Sequence, residues 1–389
     1  MKMNAYIDIT YWIAISHLPK WTVNRTNCLI VAIAIEKKIS WPDFFASKME
    51  HWKKWFDFTE KELNDLENAK ADMPRIAFIA EQLQNEGFQI IPIISSDYPQ
   101  ILKENLKYNS PSILYIKGRK ELLNEFSVAI VGSRKAGEKA LLFTDLMAKI
   151  NVRESKVIVS GFAKGVDQQA LESALEANGK SIIVLPQGIL TFQSGFRKYY
   201  EPIVNGNVLV LSTFFPKAGW DVGLAMARNV YIYGLAKEII VSETESSGGT
   251  WEGALNGLKK GRKIFVRQPD ISEKNANNKL IELGAIPLNN DGKIIINSND
   301  SNVDEINKNK ELFANETISA YNNTTENLEF NILDLLGKGS YTTREIASYI
   351  GNGWSSKEIS NFLKTSGKVK VLTGKTKKYT LESQSSLDF

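Results

Sequence analysis

Six short apolar runs through the middle of the chain, at residues 128–131, 157–159, 182–185, 208–211, 239–241 and 264–266, limit the possible folds more than any other feature. Each run is uninterrupted, which suits a strand covered on both faces rather than one with a wet side. Amphipathic stretches at 141–150, 168–177, 222–236 and 251–258 separate most of them. Strands alternating with helices imply right-handed crossovers and a mainly parallel, doubly wound sheet of the α/β class. In such a sheet ligands bind beyond the carboxyl ends of the strands. The loops that follow the runs are therefore the places to look for chemistry.

The flanks have different patterns. Residues 1–87 carry apolar side chains at helical spacing, as in Trp52, Trp55 and Phe56 and again in Ile76, Ile79 and Leu83, and are expected to form a small helical domain. The sheet domain is expected over 88–288. Its N-terminal extension, 88–120, consists of short strands broken by Asp97-Tyr98-Pro99 and Ser110-Pro111. From 289 to 327 the composition turns to Asn, Asp, Ser, Lys and Glu, as expected of a linker. The tail, 328–389, regains pattern, with helical candidates at 328–336, 343–350 and 358–363 and a hairpin over 369–372 and 378–381. Three helices and a hairpin give a winged-helix domain.

Composition excludes several classes of function. The 389 residues are 43% hydrophobic and 24% charged, far from the regime of disorder. With 48 Lys+Arg against 44 Asp+Glu the formal charge is only +4, so a nucleic-acid or phosphate site must arise from local clustering. The single cysteine, Cys28, cannot form an internal disulfide, and with only two histidines, His17 and His51, no four-ligand Cys/His zinc site can be assembled. Neither a metal nor a cofactor is expected. No apolar run approaches the roughly 20 residues of a membrane span, and no basic segment precedes a cleavable apolar stretch. The expectation is a cytoplasmic protein with no membrane partner.

Three strand-end loops carry phosphate-friendly residues. The first is Val131-Gly132-Ser133-Arg134, where a glycine lets backbone N–H groups approach an anion and Arg134 adds a bidentate donor. The second, Ser160-Gly161-Phe162-Ala163-Lys164-Gly165-Val166-Asp167, sets Lys164 between two glycines, and Asp167 suits a helix cap. The third is Ser246-Ser247-Gly248-Gly249-Thr250. Gly132 and Gly137 have the spacing of a nucleoside-triphosphate P-loop, but Glu138 stands where its lysine is required. Arg197, Lys198, Arg228 and Asn229 suit either the same edge or plain solvent, and Phe162 and Phe192 suit either stacking on a base or a place in the core. No spacing pairs two carboxylates for acid–base work, which favours binding over catalysis.

Together, the loops at 128–134, 159–167 and 246–250, with Gly261-Arg262 beyond them and Asp97-Tyr98-Pro99 upstream, resemble the DprA (Smf, DNA-processing protein A) family. The resemblance implies a Rossmann-like domain that binds single-stranded DNA without catalysis. It also implies a homodimer that hands DNA to a RecA-like recombinase, notably in natural transformation. Carried over, Arg134 falls on an arginine that contacts DNA phosphate, and Lys164 stands where the family usually has arginine. Arg228 and Asn229 match the first two positions of an Arg-Asn-Arg motif whose third is Val230 here. Leu171 replaces a common histidine, and Gln268-Pro269-Asp270 only partly matches Val-Pro-Gly. These departures mark a divergent member.

The expected site is thus Gly132, Ser133, Arg134, Gly161, Lys164, Gly165, Arg197, Lys198, Arg228, Ser247, Gly248, Gly249 and Thr250. A second candidate surface is the hairpin of the tail, with Lys370, Lys375, Lys377 and Lys378 as contacts. Two other classes remain open. One is a sensor or hydrolase of a nucleotide-derived ligand, since Gly248-Gly249-Thr250 with Glu252 faintly resembles the signature of the LOG phosphoribohydrolases, although Glu252 falls one position too early. The other is a winged-helix regulator of duplex DNA.

Overall fold

The computed structural model describes residues 2–295 and, beyond them, 332–333, 335–336, 339–350, 359–360, 362–363, 369–372 and 378–381. Residues Met1–Ile295 form one compact unit and Ile296–Phe389 a second.

The first unit begins with six helices: α1 (Lys2–Ser16), α2 (Val23–Val31), α3 (Trp41–Ala46), α4 (Met49–Trp55), α5 (Glu60–Ala71) and α6 (Met73–Asn85). Local chemistry fixes their starts. Thr22 and Ser40 cap α2 and α3, Thr59 and Glu62 form a reciprocal capping box at α5, and prolines occupy the first turns of α3 and α6.

Nine strands follow: β1 (Gln89–Pro92), β2 (Ile113–Lys117), β3 (Ser127–Gly132), β4 (Val157–Ser160), β5 (Ser181–Val184), β6 (Val208–Ser212), β7 (Glu238–Glu243), β8 (Ile264–Arg267) and β9 (Ile286–Leu288). The helices between them are α7 (Gln100–Leu106), α8 (Glu138–Arg153), α9 (Val166–Glu176), α10 (Gln193–Lys198), α11 (Tyr200–Val204), α12 (Val222–Leu235), α13 (Gly249–Lys259) and α14 (Asn277–Glu282). All nine strands join one sheet in the order β1-β2-β6-β5-β4-β3-β7-β8-β9. From β6 to β9 every pairing is parallel, while β2 runs antiparallel to β6 and β1 to β2. This is the doubly wound, Rossmann-like α/β sheet expected from the six apolar runs, which form β3 to β8.

Alternation along the strands divides the core. Val128, Ile130 and Ile158 pack with Phe143, Met147, Ala170 and Ala174 of α8 and α9. Ala129, Val131, Val157 and Val159 join a larger cluster with Ile232, Leu235 and Trp251 from α12 and α13. That larger cluster continues without a break into Trp12, Phe44, Trp52 and Ile79, so the N-terminal helices share a core with the sheet. His17, in the turn just after α1, lies in this junction. Its Nε2 is 2.9 Å from the Tyr115 hydroxyl, the Phe215 ring meets it edge-on at 5.5 Å, and burial lowers its pKa to about 4. Among the described residues, no helix is long and apolar enough to cross a membrane.

Residues 289–295, read above as the start of a linker, fold back in a tight turn that bridges Leu288 to Ile294. The remainder of that linker, 296–327, lies outside the described residues.

The second unit has a helix, Thr343–Ile350, started by a capping interaction between Thr342 and Glu345. It also has an antiparallel hairpin of β10 (Val369–Leu372) and β11 (Lys378–Leu381), to which Tyr341 adds a bridge at Tyr379. Ile332, Leu335, Ile346, Ile359, Leu363 and Tyr379 form its own small core. Lys370 and Lys378 are exposed on the two strands, whereas Lys375 and Lys377 lie outside the described residues.

Candidate functional site

Strand β3 sits where the order of the sheet reverses: β4, the next strand in sequence, flanks it on one side and β7 on the other. A crevice is expected at the carboxyl end of such a strand. The structure has one there, with a volume of about 370 Å³, lined by Gly132, Ser133, Arg134 and Lys135 after β3, Ala163 and Asp167 after β4, and Thr244, Glu245 and Ser247 to Thr250 after β7. Helix α12 closes the other wall with Val222, Met226, Arg228, Asn229, Ile232 and Tyr233.

The loops hold one another in place. The pairing of β3 with β7 shifts register between Val131 and Gly132, and the N–H of Ser133 then donates to the Glu243 carbonyl at 2.8 Å. The Thr250 hydroxyl donates to the Gly132 carbonyl at 3.2 Å, and the Tyr233 hydroxyl to the Thr250 carbonyl at 2.9 Å. Gly165 has φ +79°, and a Cβ there would lie 2.4 Å from the Ser133 carbonyl oxygen, so the second loop rests directly on the backbone of the first. The start of α8 is already served by protein, because the N–H of Gly137 donates to the Glu243 carboxylate at 3.3 Å. Helix α13, by contrast, has Gly248 at its N-cap and so no side-chain cap. Its first turn faces the crevice and supplies N–H groups and the positive end of the helix dipole.

Cations at the site fall into two kinds. Arg134, Lys135 and Lys164 are exposed and make no ion pair among the described residues. Arg228 is only 2% exposed. Its Nη1 donates to the Val184 carbonyl at 3.2 Å and lies 3.8 Å from Asp167 Oδ2, while its Nε has no hydrogen-bond partner. The slot exists because residue 161 is glycine: a Cβ there would fall 1.4 Å from Arg228 Nη1. Burial raises the pKa of the Asp167 carboxyl, opposed by Arg228 and by the N–H groups of Ala163 and Gly161, and burial lowers that of the Arg228 guanidinium. Asp167, the second residue of α9 and not the helix cap expected from sequence, is therefore the buried partner of Arg228. Arg228 itself is not a solvated cation; it forms the floor of the pocket beneath the exposed ones.

Other expected residues lie elsewhere. Arg197 and Lys198 end α10, away from the pocket lining, and Lys198 pairs with Glu172 at 3.0 Å. Phe192 is 5% exposed and packs against Phe162 and Phe196, with ring centroids 5.2 and 5.4 Å away. Phe162 is half-buried and also meets Tyr199 edge-on. Both rings belong to an aromatic cluster, in which Phe192 is sealed and Phe162 remains partly exposed. The sequence reading missed Lys135, Val222 and Met226. For the last two a signal existed: with Asn229 and Tyr233 they recur at helical spacing on the one face of α12 that lines the pocket.

Comparison with known proteins agrees with the loops. A family model described as DNA recombination-mediator protein A matches residues 89–299. The DNA processing protein DprA of Streptococcus pneumoniae is 30% identical over 208 residues, 53% of this chain and 73% of that protein. Its counterpart in Bacillus subtilis is 27% identical over 225 residues, 57% of this chain and 74% of that protein. The X-ray structure of the Streptococcus pneumoniae protein superposes with a TM-score of 0.56 at 24% identity, covering 72% of this chain and 94% of that one, and so shares the fold. The match takes in every strand of the sheet and all three loops of the crevice, and the chain belongs to the DNA recombination-mediator protein A family.

Proposed function

We propose that the crevice binds the backbone of single-stranded DNA, and that the protein is a non-catalytic mediator that protects such a strand and presents it to a recombinase. The observation that carries this reading is the convergence of three strand-end loops on one pocket lined by Arg134 and Lys135, with the exposed Lys164 next to its lining residue Ala163, all three without acidic partners among the described residues. Exposed cations of this kind neutralise phosphates in a salt-dependent, sequence-tolerant way. The uncapped start of α13 adds amide donors suited to the same charge. Homodimerisation through the sheet domain and delivery to a RecA-like partner are proposed on the family resemblance. We read the second unit as a winged helix whose exposed Lys370 and Lys378 make accessory contacts.

The hydrolase alternative loses its carboxylate, since Glu252 does not line the pocket and its Oε2 is buried without a hydrogen-bond partner. A nucleotide sensor keeps one supporting observation, the unpartnered Nε of Arg228 in the pocket floor. The deciding experiment is equilibrium binding of labelled oligonucleotides, single-stranded against duplex, across a salt series. It compares the wild-type chain with an Arg134→Ala, Lys164→Ala double variant. Tight single-strand binding that weakens with salt and collapses in the double variant supports the proposal. Single-strand binding indifferent to both substitutions would remove the crevice as a DNA site. Saturable mononucleotide binding without strand binding would favour the sensor, and duplex preference would favour a winged-helix regulator.

A further inference from the structure

The segment from 213 to 221 leaves the carboxyl end of β6, on the same edge of the sheet as the crevice, and leads into α12. It is firmly seated. Gly188 and Leu190 donate backbone hydrogen bonds to the Ala218 and Pro216 carbonyls at 2.9 and 3.0 Å, and the Thr191 hydroxyl lies 3.2 Å from the Ala218 carbonyl. At its far end the segment touches α6: the Lys217 ammonium lies 5.4 Å from the centre of the Phe78 ring, and Arg75 lies 5.3 Å from that of Phe215. At its near end stands Trp220, 54% exposed, two residues before Val222 of the pocket wall.

Phe78 is 64% exposed on α6, although that helix has a well-formed buried face of Ile76, Ile79, Ala80 and Leu83. Its ring does nothing for the core. Lys217 makes no ion pair among the described residues, while Arg75 is bound to Asp72 and contributes little net charge. Asp221 uses a carboxylate oxygen to cap α12 at the Leu224 N–H, 2.8 Å away. The surface beside the crevice therefore carries two exposed aromatic rings, Phe78 with Lys217 against it and Trp220 three residues further along the loop. Stacking platforms alternating with a phosphate-binding cation are what a flexible polyanion with planar bases requires.

We propose that a single strand leaving the crevice continues across this loop onto α6, stacking bases on Trp220 and Phe78 with Lys217 at the intervening phosphates. The N-terminal helices thereby become part of the DNA track. The proposal rests on the crevice being the primary DNA site and lengthens that site in one direction.

Binding of two oligonucleotides, roughly 6 and roughly 20 residues long, separates the two ideas, the lengths bracketing the usual footprint of one binding module. The full-length chain is compared with a Phe78→Ala, Trp220→Ala variant, a Phe78→Tyr, Trp220→Phe variant and the Arg134→Ala, Lys164→Ala variant. The expected result is that removing both rings weakens the longer strand about 10-fold or more and leaves the short one unchanged. The aromatic replacements retain wild-type binding of both. Equal weakening of both lengths, or no weakening of either, would overturn the track. If the Arg134→Ala, Lys164→Ala variant binds both lengths like wild type, the crevice reading fails and the track, as its continuation, fails with it. Loss of both lengths in that variant alongside length-independent behaviour of the ring variants refutes the track and keeps the crevice.

Discussion

Arg134 and Arg228 line the same pocket, yet one stands in solvent at the rim and the other is sealed beneath it with Asp167. Basic side chains of one crevice can therefore play two separate physical roles. The rim residue trades hydration for a ligand contact and leaves the fold indifferent. The floor residue has already lost its hydration, so its charge is tied to the integrity of the core and acts on a ligand through the shape it maintains.

Removing the floor cation should have the largest effect. Arg228→Leu leaves the Asp167 carboxylate buried without its partner and is expected to cost about 3 kcal/mol or more in denaturant unfolding, a loss that a further Asp167→Leu change should partly recover. Recovery in the double variant would confirm that the pair is a unit; an equal or larger loss would mean that Arg228 acts mainly through packing.

The half-buried His17 sharpens the contrast, because it is another basic side chain whose charged form is disfavoured by desolvation. Its pKa of about 4 in the fold lies below the unfolded value of 6.5, so the unfolded chain binds the extra proton first. Stability present above pH 6.5 should decline as the pH falls toward 4, by on the order of 3 kcal/mol, and His17→Phe should flatten that decline. Stability curves of the two proteins between pH 7 and 4 that run parallel would contradict this origin.

At the rim the pattern inverts. Arg134→Ala should change unfolding free energy by no more than about 0.5 kcal/mol, weaken single-strand binding about 10-fold, and reduce the slope of log affinity against log salt by about one. A smaller effect still is expected at Lys198, whose exposed pair with Glu172 is worth less than about 1 kcal/mol and which lies off the pocket. Lys198→Ala should leave oligonucleotide affinity within about 2-fold of wild type. If it matched Arg134→Ala, the boundary between rim and surround would have to be redrawn.

The sheet was legible because strands buried on both faces write their burial as unbroken apolar runs, and the edge at which ligands bind follows from strand order alone. The place of the glycine and hydroxyl loops was legible too, because close approach of one backbone to another, as of Gly165 to Ser133, leaves few residue types acceptable. The environment of each charge was not legible. Arg228 is buried because residue 161, far away in sequence, is glycine, and Lys198 is engaged because Glu172 lies beside it on another helix. Phe192 was ambiguous because aromatic residues serve cores and bases equally well, and only its neighbours Phe162 and Phe196 decide the matter. Nor does any local pattern state that helices before residue 87 and strands after it share one core.

The seat of Gly165 on the Ser133 carbonyl has a kinetic consequence. Two loops that interlock through backbone cannot reorganise separately, so the groups proposed to meet phosphate arrive as a preorganised surface whose ordering was completed during folding. A strand meeting that surface has only its own flexibility to lose. Capture should then proceed at an encounter-limited rate set by ionic strength, and differences in affinity among strands should reside in how slowly they depart.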